Sequence, residues 1–146
     1  MAYKIFTDTN VFLDHLLQRT PNWEFARELF VLAEQKEIAV CTSSSSLVNI
    51  LYALKQQKKL TYDDIVTLMG YLLSYTKIAH TDEQAFKLAL VSGFTDLEDA
   101  IQYYTALADK DIDYFITSNI KDYKKALPQL RVITPKQFMI LYKKKG

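Results

Sequence analysis

Apolar positions along the chain alternate between two textures. Short runs rich in β-formers occur at residues 3–7, 38–41, 77–80, 113–117 and 131–133. Such dense, short runs predict buried strands, with 77–80 the weakest of them. Between them apolar residues return at helical spacing: Ala26, Leu29, Phe30 and Ala33; then Leu47, Ile50, Leu51 and Leu54; then Ile65, Leu68, Met69 and Leu72. Each set lines one face of a helix. Residues 11–17 also read as helical, and the stretch from Arg19 to Asn22, with Pro21 inside it, breaks the pattern.

Punctuation marks the ends of these elements. Any of the four serines from 43 to 46 can cap the helix that follows. Thr61 with Asp63 and Asp64 opens the next one. Thr81 with Gln84, and Thr95 with Glu98, have capping-box spacing. They predict one helix running to Gly93, a plausible end residue, and a second running through Ala108. Thr134-Pro135 starts a last helix, with proline in its first turn. Strands of four to six residues alternating with helices of ten or more predict an α/β domain. The expected architecture is an α/β/α sandwich around a mostly parallel sheet of four to five strands. No repeat, linker or low-complexity segment divides it, so residues 1–146 are expected to form a single domain.

Composition narrows the compartment more than the function. The chain is 49% hydrophobic, enough for a sizeable core, and has only 3 Gly and 3 Pro. Cys41 stands alone, which removes an internal disulfide and a cysteine-based zinc site. No signal-like leader and no apolar run of roughly 20 residues is present, so a cytoplasmic protein with no membrane contact is expected. A formal net charge of +1 neither requires nor excludes nucleic acid. Lysines cluster at 55, 58 and 59, at 121, 124 and 125, and at 143–145. The middle cluster adjoins Asp122 and could hold RNA phosphates.

The candidate chemistry is acidic. Asp8 ends the first strand, and Asn10 follows it. Asp96, Glu98 and Asp99 fall in the first turn of one helix, where the macrodipole favours acids on its own. Asn119 and Asp122 follow the strand at 113–117. In a parallel sheet these groups gather beyond the carboxyl ends of the strands, where ligands bind. Crowded carboxylates repel, so a cation or protons must neutralise them. Oxygen donors without Cys or His point to Mg²⁺ or Mn²⁺. Such an ion can activate water toward a phosphodiester.

FTDTN, then DLEDA, then ITSNIKDY, in this order and at these separations, resemble the PIN-domain family of metal-dependent ribonucleases, which includes the VapC-type toxins of toxin–antitoxin pairs. The resemblance runs from Tyr3 to about Phe138. It implies a PIN-like fold and Asp8, Asp99 and Asp122 as catalytic and metal-binding acids, with Glu98 beside them. Asn10, Asn49, Asp96, Ser118, Asn119 and Lys121 are implied as supporting or substrate-positioning groups. It also implies a Mg²⁺ or Mn²⁺ cofactor, an RNA substrate, a homodimer and, as for some members of the family, an antitoxin partner. The chain departs from the pattern twice: Asn49 stands where many members carry Glu, and Ser118 where an Arg often precedes the Asn.

Two other functions compete. A haloacid-dehalogenase-type phosphatase would share a strand-end Asp8 but needs a second acid where Asn10 stands. A catalytically weak module that binds RNA or protein is the other, with Asn49 its best support. His15 and His80 lack partners at metal spacing and are expected to be surface or capping residues. The serine run lacks a nucleophile elbow, and no phosphate-binding glycine loop exists. Tyr103 and Tyr104 are expected in the core or at a subunit interface.

Overall fold

The computed structural model describes residues 2–145; Met1, Gly146 and the Lys145 side chain lie outside the described residues. The chain runs β1 (Lys4–Thr7), α1 (Thr9–Leu16), α2 (Trp23–Glu34), β2 (Ala39–Ser43), α3 (Ser44–Lys55), α4 (Tyr62–Ser74), β3 (Thr76–Ala79), α5 (Glu83–Leu90) and α6 (Leu97–Leu107). It continues through β4 (Tyr114–Ile116), a 3₁₀ turn (Ile120–Tyr123), β5 (Arg131–Ile133) and α7 (Pro135–Lys145). The five strands form one sheet in the order β3-β2-β1-β4-β5. Every pairing in it is parallel, as the alternation of strands and helices predicts.

Register explains how one sheet serves two cores. Ile5 pairs with Val40, and Phe6 with both Cys41 and Phe115. Side chains alternate across a strand, so these two sets face opposite ways. Ile5, Val40, Ile116 and Ile133 pack with Phe12, Phe30, Ile50 and Phe138 from α1, α2, α3 and α7. Phe6, Cys41 and Phe115 pack with Ala85, Ala89, Ala100 and Tyr103 from α5 and α6. Burial on both faces is why the strands read as dense apolar runs rather than as alternating ones. Tyr103 is fully buried and Tyr104 nearly so, which puts both in the core.

Helix starts follow acceptor strength. Ser43 is the serine that caps α3, accepting from Ser46 N. Thr61 and Asp64 form a complete capping box at α4. Two predicted boxes shift by one residue. Asp82, not Thr81, accepts from Ala85 N, and Asp96, not Thr95, accepts from Asp99 N. Aspartate is a stronger N-cap than threonine, so it takes the position. At its other end α5 stops at Leu90, short of the predicted Gly93, which sits at φ +79° in the link to α6. Thr134 does form a reciprocal pair with Gln137 at the start of α7.

His15 is half-buried: it packs on Phe30 at 5.1 Å, and burial, with the nearby charge of Arg27, lowers its pKa. Its helix buries four consecutive residues, Val11 to Asp14, and packs against both α2 and α3, which the short motif around it does not reveal. His80 is exposed.

Phe115 joins the sheet to the helical layer above it. It stacks on Phe6 at 5.4 Å and meets Tyr103 at 5.7 Å and Tyr123 at 4.8 Å. Phe115→Ala should cost about 3–5 kcal/mol, measured by urea denaturation.

Candidate active site

The strand order fixes where a ligand can sit. After β1 the chain adds β2 and then β3 on one side; it then crosses to add β4 and β5 on the other. The connection reverses between β1 and β4, and such a switch point opens a crevice beyond the strand ends. Asp8 stands there. Its N–H donates to Ile116 O at 2.9 Å, tying the end of β1 to the end of β4.

A cavity of about 390 Å³ opens at this point, lined by Asp8, Thr9, Asn10, Asn49, Tyr52, Asp96, Glu98, Asp99, Gln102 and Asp122. Asp8 is 6% exposed. Its Oδ2 accepts from Thr117 Oγ1 at 2.9 Å. The N–H groups of Thr9 and Asn10 and the Tyr123 hydroxyl also face it, although neither N–H forms a regular capping bond. Burial nevertheless pushes the Asp8 carboxyl above its usual value, and these donors only partly offset it.

Asp99 enters from the opposite layer, in the first turn of α6. Its Oδ1 accepts from Tyr123 Oη at 3.3 Å. Burial, then the charges of Asp8, Asp96 and Asp122, push its carboxyl up to about 7. Asp96 is engaged as the N-cap of α6. Glu98 is exposed at the cavity wall and has no capping role, because the box with Thr95 does not form. Asp122 Oδ2 accepts from Asn119 Nδ2 at 2.7 Å, so this pair is self-contained at the rim.

The other predicted positions separate. Asn10 lines the cavity, and Arg19 Nη2 donates to its Oδ1 at 3.4 Å and to its carbonyl at 3.1 Å. Asn49 is an exposed wall residue on α3. Ser118 turns away, donating to Asp14 Oδ2 at 2.9 Å, and does not line the cavity. Lys121 is exposed and likewise stands outside the lining.

Several participants carry no motif. Buried Asp14 receives Ser118 and pairs with Arg19 at 2.9 Å. Under the cavity, Ser43 Oγ donates to Gln102 Oε1 at 3.0 Å, and Thr9 Oγ1 lies 2.6 Å from Ser46 Oγ. Gln102 follows Asp99 by one helical turn, a spacing that puts both on one face. That spacing was the available signal. Tyr123 and Thr117 lie inside the ITSNIKDY motif, but the motif does not mark which atom either side chain points at.

Hard oxygen donors crowded enough that three neighbouring carboxylates help raise Asp99 suit a hard divalent cation. Among the described residues no group of three or more Asp, Glu, His or Cys side chains stands arranged around a single point. A Mg²⁺ ion does not need one, because it is ordinarily held by one or two carboxylates with water completing the octahedron. Asp8 and Asp99 therefore fit such an ion, with Asp122 and Glu98 within the same cavity.

The comparisons agree with the fold. A PIN-domain model matches residues 4–121, and the chain belongs to the PIN-domain family. No curated protein matches it. Among solved structures it is similar to a chain of DNA-bound VapBC from Salmonella typhimurium, at TM-score 0.66 and 20% identity, covering 91% of this chain and 98% of that one. A chain of promoter-bound VapBC2 from Rickettsia felis matches at 0.65 and 18%, covering 90% and 98%. A toxin–antitoxin complex from Klebsiella pneumoniae matches at 0.61 and 22%, covering 90% and 97%. The family that the motifs resemble is thus the chain's own, and its fold is shared with chains of VapBC complexes.

The raised carboxyls set a pH dependence. A folded-state pKa above the unfolded value stabilises the fold below the unfolded pKa and loses that contribution as pH rises through the folded one. In EDTA, the melting temperature should therefore fall as pH rises from about 4 through about 7. Asp8, Asp96 and Asp122 supply the repulsion. Asp99→Asn should flatten this slope in a thermal-shift series; an unchanged slope would remove Asp99 as its source.

Proposed function

We propose that this PIN domain is a Mg²⁺- or Mn²⁺-dependent endoribonuclease that cleaves single-stranded RNA, acting as the toxin of a toxin–antitoxin pair. The observation that carries the reading is the convergence of Asp8, Glu98, Asp99 and Asp122 on one cavity at the switch point. A divalent ion bound there would activate water and offset charge on the phosphate in the transition state. Asp8, fixed by Thr117, and Asp99, fixed by Tyr123, would hold it. Asp122 and Glu98 would complete the anionic wall. Asn10 would orient substrate, and Lys121, Lys124 and Lys125 would meet the RNA backbone.

The similar structures are of VapBC and toxin–antitoxin complexes. This supports a protein partner here. An apolar groove of about 780 Å³ between α3 and α4, lined by Leu51, Tyr62, Ile65, Val66, Met69 and Leu73, suits the apolar face of a helix. A free buried Cys41 and no helix long and apolar enough to cross a membrane, among the described residues, accord with a cytoplasmic role. The second reading is a binding module with a weakened site. It rests on Asn49, an amide on the cavity wall that brings no charge.

Purified protein should cleave an RNA oligonucleotide with Mg²⁺ or Mn²⁺ and stop with EDTA. Asp8→Asn and Asp99→Asn should each remove at least about 99% of the rate, since each takes away charge that an in-line displacement depends on. Asn49→Glu should raise activity at low metal concentration. No cleavage with any divalent metal would favour the binding module, and cleavage of a small phosphomonoester instead would favour the phosphatase.

Tyr52, Phe86, Leu90 and Val91 are exposed at 66%, 49%, 66% and 82%. Phe86, Leu90 and Val91 follow one another along α5 and its end, and we assign the apolar surface they form to a homodimer. Light scattering should give twice the chain mass; a monomer at every concentration rejects the assignment.

A further inference from the structure

Among the described residues, Tyr123 is the aromatic whose hydroxyl donates a hydrogen bond to an acid of the cavity. Its ring is core: it sits 4.8 Å from Phe115 and 5.9 Å from Phe94, and the residue is 3% exposed. Phenylalanine would fill the same space. The hydroxyl is the addition, and a buried hydroxyl is costly unless it is bonded. It bonds at the cavity floor, to Asp99 Oδ1 at 3.3 Å, with a less regular contact to Asp8. Asp8 follows β1 as the N-cap residue of α1, and Asp99 lies in the first turn of α6. No other hydroxyl among the described residues is recorded in contact with both.

We infer that Tyr123 is a positioning residue: its hydroxyl donates to Asp99 Oδ1, orients that carboxylate toward Asp8 across the cleft, and sets the affinity of the site for a divalent cation. This deepens the metal-dependent reading above and rests on it. A phenol has one proton to donate. Given to Asp99 Oδ1, it fixes that carboxylate's rotation and leaves Oδ2 as the oxygen free to meet an ion. Groups that orient metal ligands in this way ordinarily contribute about 10- to 100-fold in metal affinity. The 3₁₀ turn makes the arrangement possible, because it carries Asp122 to the rim and the next residue, Tyr123, into the core.

The test is Mn²⁺ binding to the full chain, followed by calorimetry and by the Mn²⁺ electron paramagnetic resonance signal. Tyr123→Phe should stay folded and bind Mn²⁺ roughly tenfold more weakly. The control is Tyr103→Phe. That tyrosine lies in the same aromatic cluster, but its hydroxyl donates to the carbonyls of Leu127 and Leu130, away from the acids. It should leave Mn²⁺ affinity unchanged whatever it does to stability. In the Asp99→Asn background, Tyr123→Phe should add little further loss, because the two act through one contact. Equal Mn²⁺ affinity in Tyr123→Phe and the parent overturns the inference, as does equal weakening by Tyr103→Phe or failure of Tyr123→Phe to fold. A parent that binds Mn²⁺ no better than Asp8→Asn overturns the metal reading itself, and this inference with it.

Discussion

The ends of β1 and β4 are held together by Asp8, and the site depends on that junction. Its N–H closes on Ile116 O and its carboxylate on Thr117 Oγ1, so one residue supplies both the last rung of the sheet and the deepest acid of the cavity. Burying a carboxylate this deeply is expensive. It persists because the surrounding donors are fixed by elements with their own reasons to be there: a strand end, the first turn of α1 and the 3₁₀ turn. The same burial that raises its pKa makes it responsive to a positive partner.

Around that junction, polar order replaces apolar packing. Ser43, Ser46, Thr9 and Gln102 bond to one another under the cavity, where side chains of either core would otherwise meet. The serine run thus has a structural occupation, a cap at α3 together with the floor of the cleft. On the far side, Asp14 and Arg19 anchor Ser118 and the Asn10 amide. The cavity wall is held by bonds that run behind it, and its acids are left facing inward.

Much of this was legible from residue order. Asp8 at a strand end, Asp99 one turn into a buried helix and Asp122 after β4 converge once the sheet is parallel, and alternation of elements sets that. Helix caps were legible to within a residue, because Thr and Asp compete at neighbouring positions and only geometry decides between them. The supporting shell was not legible. Thr117 and Tyr123 look like strand and core residues, and Asp14 looks like a helix surface position. Their importance lies in which atom each points at, and no periodicity records that. Ser118 illustrates the converse, since its place in a motif says nothing of its hydroxyl turning to Asp14.

The acids that line the cavity are divided between two packing layers, and this couples the cleft to cooperativity. Asp8 belongs to the layer of α1, α2, α3 and α7, whereas Asp99 rides on α6 with α5 beside it. The α5–α6 pair is a natural unit for partial opening, since proteins open in contiguous segments whose free energies differ. If that pair lifted, half of the acidic wall would leave with it, while the sheet and the remaining layer kept their contacts. A cation bridging the two halves binds only the closed form. By mass action it would therefore suppress that excursion, slowing amide exchange along α5 and α6 far from any group that touches it.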